Sequence, residues 1–214
     1  MEGNRSFGLL HPGHKKISHG NHTYIGTTIR GGLNPGRDEF GGEDVNDVIN
    51  LVKYLPTLQS TIQNIHLSNK LYLVGESRGA MQMLLALSRS NWLQNKIEKA
   101  VSIVGLLDMN ETLDKRPDML SMFYQNFQLN RFNKEKWINQ RDPLQAINKI
   151  RNDLPILIIQ GNEDIRVDLS EGLNMYNKLK SLKYPIEYWE IEGAGHTLNI
   201  FDTKLENWLE KPSK

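Results

Sequence analysis

Cysteine is absent from the sequence. That excludes disulfides, cysteine–zinc sites and thiol nucleophiles, although it does not fix the compartment. A charge of one sign is missing as well. The 26 Lys and Arg stand against 25 Asp and Glu, leaving a formal net charge of +1. There is neither the basic balance of a nucleic-acid binder nor an acidic tail for a basic partner. No apolar run approaches the ~20 residues of a membrane-spanning helix. The first residues, "MEGNRSFGLLHPGH", lack the charged-then-apolar pattern of a secretory signal. Internal repeats and low-complexity linkers are also lacking. These absences leave a cytoplasmic protein without membrane or nucleic-acid partners as the expectation.

The chain has 214 residues, 38% hydrophobic and 24% charged, enough for one domain with a sizeable core. We expect residues 1–214 to form that single domain, with about 110–141 as a small helical insertion. Strand and helix patterns alternate along it. "HTYIGTTIRGG" reads as a strand and turn, rich in β-branched and aromatic residues before its glycines. In "GGEDVNDVINLVKYLP", Val45, Val48, Ile49, Val52 and Leu55 recur at helical spacing. Glu43 and Asp44 fall in the first turn, where the helix dipole favours acids, and Pro56 is expected to end the helix. "LYLV" (71–74), "KAVSIVGLLD" (99–108), "LPILIIQG" (154–161) and "PIEYWEIEG" read as strands. "RGAMQMLLALSRS", "DMLSMFYQNF", "DLSEGLNMYNKLKSLK" and "TLNIFDTKLENWLEK" read as helices. Such alternation implies parallel βαβ units and an α/β fold with helices on both faces of the sheet.

"YLVGESRGAMQML" holds a G-x-S-x-G string between a strand and a helix. The string alone is weak, and Ser77 there could simply cap a helix. The strand–turn–helix context is what a nucleophile elbow needs. Gly75, Gly79 and Ala80 keep the neighbours small, and the N–H of Arg78 falls at a helix N-terminus, suited to an oxyanion. A hydroxyl needs a base, and the base an orienting acid. Asp164 follows the 154–161 strand and His196 follows the next one, with Gly193 and Gly195 beside it. The order Ser…Asp…His is that of α/β-hydrolases. Residues that follow parallel strands lie together at the C-terminal edge of the sheet.

On these residues the chain resembles the catalytic domain of the prolyl oligopeptidase family of serine hydrolases, from about Thr23 to the C-terminus. The resemblance is carried by "IRGGLNPGRDEFGGEDVNDV", "VGESRGAMQMLLAL", "KAVSIVGLLDM", "RDPLQAINKI", "PILIIQGNEDIRVDLSEGLNMYNKL" and "EGAGHTL". It implies an α/β-hydrolase fold, shortened at the N-terminus, with Ser77 as nucleophile, Asp164 as orienter and His196 as base. It also implies hydrolysis of peptide-like amide or small ester bonds through an acyl-enzyme, with no cofactor; no metal is expected either. The family's peptidases usually carry a β-propeller, for which 214 residues leave no room. "HPG" (11–13) resembles the family's oxyanion strand but sits in a compressed region, so the second oxyanion donor stays unassigned. Tyr24, the nearest tyrosine, reads as part of a strand and receives no role. A non-catalytic domain of the same fold that binds a ligand or partner is the alternative.

Other features have two readings each. His11, His14, His19 and His22 form two H-x-x-H pairs, a metal set or plain loop histidines. Arg30 and Arg37 suit a substrate carboxylate or structural pairing; Asp47 reads as a structural hydrogen-bonding partner. Met119, Met122, Phe123, Tyr124 and Phe127 line a pocket or pack the core. With the first strands of the usual sheet missing, the edge near Thr23–Ile29 is expected to pair with a second copy, giving a homodimer.

Overall fold

The computed structural model describes residues 22, 24–27, 30–31, 34–61, 67, 70–198 and 203–212. Its centre is a parallel sheet of four strands, β1 (Leu71–Glu76), β2 (Ile97–Ile103), β3 (Ile156–Gly161) and β4 (Ile186–Ile191), in the order β1-β2-β3-β4. β3, "ILIIQG", is buried along its whole length, as expected for a strand covered on both faces.

Side chains alternate between two cores. One face carries Leu71, Leu73, Ala100, Ile156, Ile158, Ile186 and Tyr188. It packs against α1 (Asn46–Thr61), α2 (Arg78–Arg89) and α8 (Leu169–Ser181). The other carries Val101, Ile103, Leu157, Ile159, Trp189 and Ile191, under Leu205, Trp208 and Leu209 of α9 (Thr203–Glu210). Between β1 and β3 lie α3 (Asn91–Gln94), α4 (Met109–Lys115), α5 (Pro117–Asn126), α6 (Lys134–Asn139) and α7 (Pro143–Ala146). The expected α/β class with helices on both faces is present. Among the described residues no helix is long and apolar enough to cross a membrane.

Local chemistry explains the helix starts. Asp108, Asp142 and Asp168 each cap a helix, accepting from the N–H of Glu111, Leu144 and Ser170 respectively. At the C-terminal end of α9, the buried ammonium of Lys99 donates to the carbonyls of Trp208, Leu209 and Lys211. A cation at a helix C-terminus satisfies carbonyls that lack intrahelical donors.

Three sequence expectations change. Pro56 does not end α1, which continues through it to Thr61. The extra turn is polar, and the hydroxyls of Ser60 and Thr61 donate to the Thr57 carbonyl. The 99–108 run is strand only to Ile103; Val104 takes a positive φ of 42° and the chain turns. Its apolarity comes from a buried loop, with Leu106 and Leu107 in the core. Beyond Val104, whose N–H still reaches the Ile159 carbonyl of β3, the loop's N–H groups find acceptors outside the sheet. Leu106 donates to the Ser77 carbonyl and Leu107 to the Glu171 carboxylate. Of the expected 23–29 strand, residues 24–27 are described and hold one bridge residue, Ile25. The remainder of that stretch, "HPG" (11–13), His11, His14 and His19 lie outside the described residues.

Candidate active site

β1 ends at Glu76 and α2 begins at Arg78, leaving Ser77 alone in the turn with φ 53° and ψ −121°. A non-glycine residue holds such a conformation only when its surroundings over-determine it. Ser77 N–H donates to the Ile103 carbonyl at 2.8 Å, and its own carbonyl accepts from Ala80 and Leu106. Gly75 is required: a methyl there would come within 2.5–2.6 Å of the backbone of Gly79 and Ala80. Gly79 is not, since a methyl on it would meet nothing within 4 Å. The close approach of helix to strand therefore rests on Gly75 and Ala80, which corrects the equal weight the sequence reading gave Gly79.

The Ser77 hydroxyl does not cap α2. Its Oγ lies 3.0 Å from Nε2 of His196, whose Nδ1 lies 2.8 Å from Asp164 Oδ2. A carboxylate only accepts, so Nδ1 carries the proton, and in the neutral ring Nε2 then accepts from the serine hydroxyl. The three residues come from three separate loops at the C-terminal ends of β1, β3 and β4. The Asp164 side chain is fully buried and that of His196 is 18% exposed, so the acid is dry and the imidazole reaches the surface. Asp164 Oδ1 accepts from the N–H groups of Arg166 (2.8 Å) and Val167 (3.0 Å).

The acid and histidine loops are stitched together. Glu163 N–H donates to the Ala194 carbonyl (2.9 Å), and Asn162 Oδ1 accepts from Gly193 N–H (2.8 Å). Gly193 has φ +67°, the left-handed region open to glycine. A methyl on Gly161 would collide with the carbonyl oxygens of Ala194 and Gly195.

Arg78 contributes twice. It opens α2, so its N–H has no intrahelical acceptor. Its guanidinium pairs with Asp38 through both Nη atoms and with Asp44 at 3.0 Å, and stacks on Phe40 with 4.3 Å to the ring centroid. Burial pushes the Asp38 carboxyl upward, but the bonds from Arg78 and from the Phe40 N–H outweigh it and hold the group below the usual carboxylate range. The elbow is thereby tied to the segment around residues 38–44.

The other sequence candidates separate cleanly. Arg30 pairs with Asp47 through two hydrogen bonds, the structural reading of both; Arg37 is exposed. Phe123 and Phe127 join Phe40 and Trp137 in an aromatic core cluster and Met119 packs against that core, whereas Met122 and Tyr124 are exposed. His22 meets Glu210 at 3.2 Å and packs edge-on against Tyr72. Tyr24 stands beside His22 and is raised by burial and by the charge of Glu206, a residue of α9.

Several participants carried no readable sequence signal. Asp38 is 40 residues from the arginine it pairs with. Gln160, buried in β3, donates to Asp164 Oδ2 at 3.4 Å. Glu171 is buried on α8 and accepts from Leu107 and Asp108 N–H. Burial pushes its carboxyl up to about 7. Asp142 is pushed up to about 6 by burial and by the nearby charge of Asp108. Only Gly161, a glycine closing a strand before a loop, had a pattern pointing to close backbone approach.

A parallel sheet carrying a strained serine, an aspartate and a histidine at the C-terminal ends of β1, β3 and β4 defines the α/β-hydrolase class. Residues 30–211 match the prolyl oligopeptidase family, and the chain belongs to it. It is 27% identical over 155 residues to a Bacillus subtilis (strain 168) protein named uncharacterized peptidase YtmA, across 72% of this chain and 56% of that one. It is 24% identical over 168 residues to dipeptidyl aminopeptidase BIII of Pseudoxanthomonas mexicana, across 76% of this chain and 23% of that one. The chain thus spans about half of one relative's length and a quarter of the other's. Its fold is similar to that of a puromycin-hydrolysing peptidase of Mycobacterium tuberculosis, with a TM-score of 0.63 and 22% identity, over 80% of this chain and 25% of that one.

Proposed function

We propose that the chain is a serine hydrolase that cleaves peptide-like amide or small ester bonds, with Ser77 as nucleophile, His196 as general base and Asp164 as its orienter. The observation that carries this reading is the unbroken relay from Asp164 Oδ2 through the imidazole to Ser77 Oγ, at 2.8 and 3.0 Å. Ser77 sits in a strained turn whose hydroxyl is spent on no cap. Family membership and the peptidase names of its relatives support amide substrates.

The steps follow from the geometry. His196 Nε2 takes the Ser77 proton as Oγ attacks the substrate carbonyl. The negative charge that develops on the carbonyl oxygen is met by the Arg78 N–H. The imidazolium, held by Asp164 through Nδ1–H, gives its Nε2 proton to the departing amine or alkoxide, leaving an acyl-serine. A water, deprotonated by the same Nε2, then cleaves that ester and returns the proton to Ser77.

The test is labelling with a fluorophosphonate probe. The wild-type chain is expected to bind one equivalent and to hydrolyse p-nitrophenyl acetate. Ser77→Ala is expected to lose both while keeping its circular dichroism spectrum. A folded wild-type chain that neither labels nor turns over the ester would favour a non-catalytic binding domain of the same fold. Labelling that persists in Ser77→Ala would move the nucleophile elsewhere.

A further inference from the structure

Among the described residues the Asp164 carboxylate has four hydrogen-bond donors, of which three come from its own loop or from His196. The fourth is Nε2 of Gln160, on β3, at 3.4 Å from Oδ2, the oxygen that also receives His196 Nδ1–H. The same Nε2 donates to the Val167 carbonyl at 3.1 Å. Val167 in turn donates its N–H to Asp164 Oδ1 at 3.0 Å. The bonds close a ring from Gln160 through the carboxylate and Val167 back to Gln160.

The orientation of the amide is determined by this ring. Both of its neighbours only accept hydrogen bonds, so the NH₂ must face them and the carbonyl must turn away. Gln160 is fully buried, and its Oε1 has no partner among the described residues. A buried amide oxygen without a donor is unfavourable. The two acceptors fix the group in spite of that.

We propose that Gln160 is a positioning residue for the hydrolytic reaction, holding the Asp164 carboxylate in the plane that the His196 ring requires; this rests on the triad reading above. Oδ1 is held by N–H groups of the acid loop itself, which move with that loop. Without Gln160, the one donor left to Oδ2 among the described residues is the imidazole it is meant to orient. Gln160 comes from a strand paired on both sides, and core strands are where local opening is least favoured. It ties the oxygen that matters to the sheet. Rotation of the carboxylate would tilt the imidazole and lengthen the Nε2–Oγ bond, and small misplacements of this kind cost large factors in rate.

The test separates the donor from the volume it occupies. Gln160→Met keeps length and bulk but donates nothing; Gln160→His changes the shape but retains a ring N–H. Steady-state kinetics with p-nitrophenyl acetate are measured alongside the downfield proton resonance of His196 Nδ1–H, identified by its loss in His196→Ala. For Gln160→Met we expect kcat to fall roughly ten- to a hundredfold, KM to stay within about twofold, and the resonance to shift or broaden. Gln160→His should keep both the resonance and most of kcat. A Met variant with wild-type kcat and resonance overturns the proposal. So does a His variant impaired as badly as the Met variant, which would point to packing alone. If Gln160→Met does not fold, the His variant decides: a retained resonance supports the role and a lost one overturns it. The resonance reports the Asp164–His196 pair whether or not the chain turns over ester. An inactive wild type would therefore defeat the hydrolase reading while the comparison between variants still reads Gln160.

Discussion

Gly161, the last residue of β3, lies against the carbonyl oxygen of Ala194, two residues before His196. No side chain separates the end of the acid-bearing strand from the histidine loop. The contact is between backbones, so no rotamer change can relieve an added methyl. Gly161→Ala is expected to force the loops apart, costing about 1–3 kcal/mol of stability as overpacking does. That lowers the midpoint of thermal unfolding by several degrees. Because the displaced loop carries His196, kcat should fall further than the stability loss alone explains. Differential scanning calorimetry with ester kinetics below the transition measures both; unchanged kcat in a folded variant would mean that the loop accommodates the methyl without moving His196.

The role proposed for Asp164 has a sharper signature. Asp164→Asn keeps the shape but replaces the acceptor toward Nδ1–H, and the imidazole can then settle in the wrong tautomer. In triads of this kind the exchange lowers kcat by about 10⁴. The expected outcome here is a loss of that order, with fluorophosphonate labelling slowed in parallel. A decrease below tenfold would assign the orienting role to another acid, and neighbouring Glu163 would be the first to replace.

Arg78 and Asp38 form a pair with unequal stakes. The guanidinium also neutralises Asp44, whose side chain is 1% exposed, whereas Asp38 is 39% exposed. Removing Arg78 leaves a buried carboxylate without its cation, a change that typically costs 3–5 kcal/mol. Removing Asp38 leaves Arg78 with Asp44 and the Phe40 ring. Urea unfolding should therefore find Arg78→Ala destabilised well beyond Asp38→Ala. Equal losses in the two variants would place the stabilisation in the exposed half of the pair.

Two buried acids set a pH dependence of stability. Glu171 is raised from 4.5 to about 7 and Asp142 from 3.8 to about 6 in the folded chain, burial being the largest cause in each. A folded state that binds protons more tightly than the unfolded one loses stability as pH rises between the two values. The loss should run from about pH 4 to about pH 7 and level off above that. At about 1.4 kcal/mol per pKa unit, Glu171 alone accounts for roughly 3 kcal/mol. Glu171→Gln keeps an oxygen to accept from the Leu107 and Asp108 N–H groups and removes the titration. Its stability at pH 8 should exceed that of the wild type, and its pH profile should be flatter. A slope in this window that matches the wild type would exclude Glu171 as the source.

The sequence by itself determined the elements whose signal is local. β1, β3, β4, α2 and α8 each carry their period and their boundary residues within one short window, as in "ILIIQG" or Asp168 ahead of "LSEGLNMY". It also singled out Ser77, Asp164 and His196 as candidates, through the G-x-S-x-G turn, the Ser…Asp…His order, their places after strands expected to be parallel and the family resemblance these motifs carry. The tertiary structure decided whatever depends on partners distant in the chain. "VGLLD" is apolar for burial and not for pairing, a difference visible only once Ser77 and Glu171 supply acceptors for its N–H groups. Arg78 reads as a helix-opening residue, and only packing brings it to Asp38, Asp44 and Phe40. Gln160 reads as one polar residue in an apolar strand. That its amide faces Asp164 follows from how the acid loop folds back over the strand end, which fixes a carboxylate above it and, among the described residues, no donor for its oxygen. Periodicity and capping act over a few residues and are written in the chain; the satisfaction of buried polar groups is settled between segments, and only the assembled fold shows which segments meet.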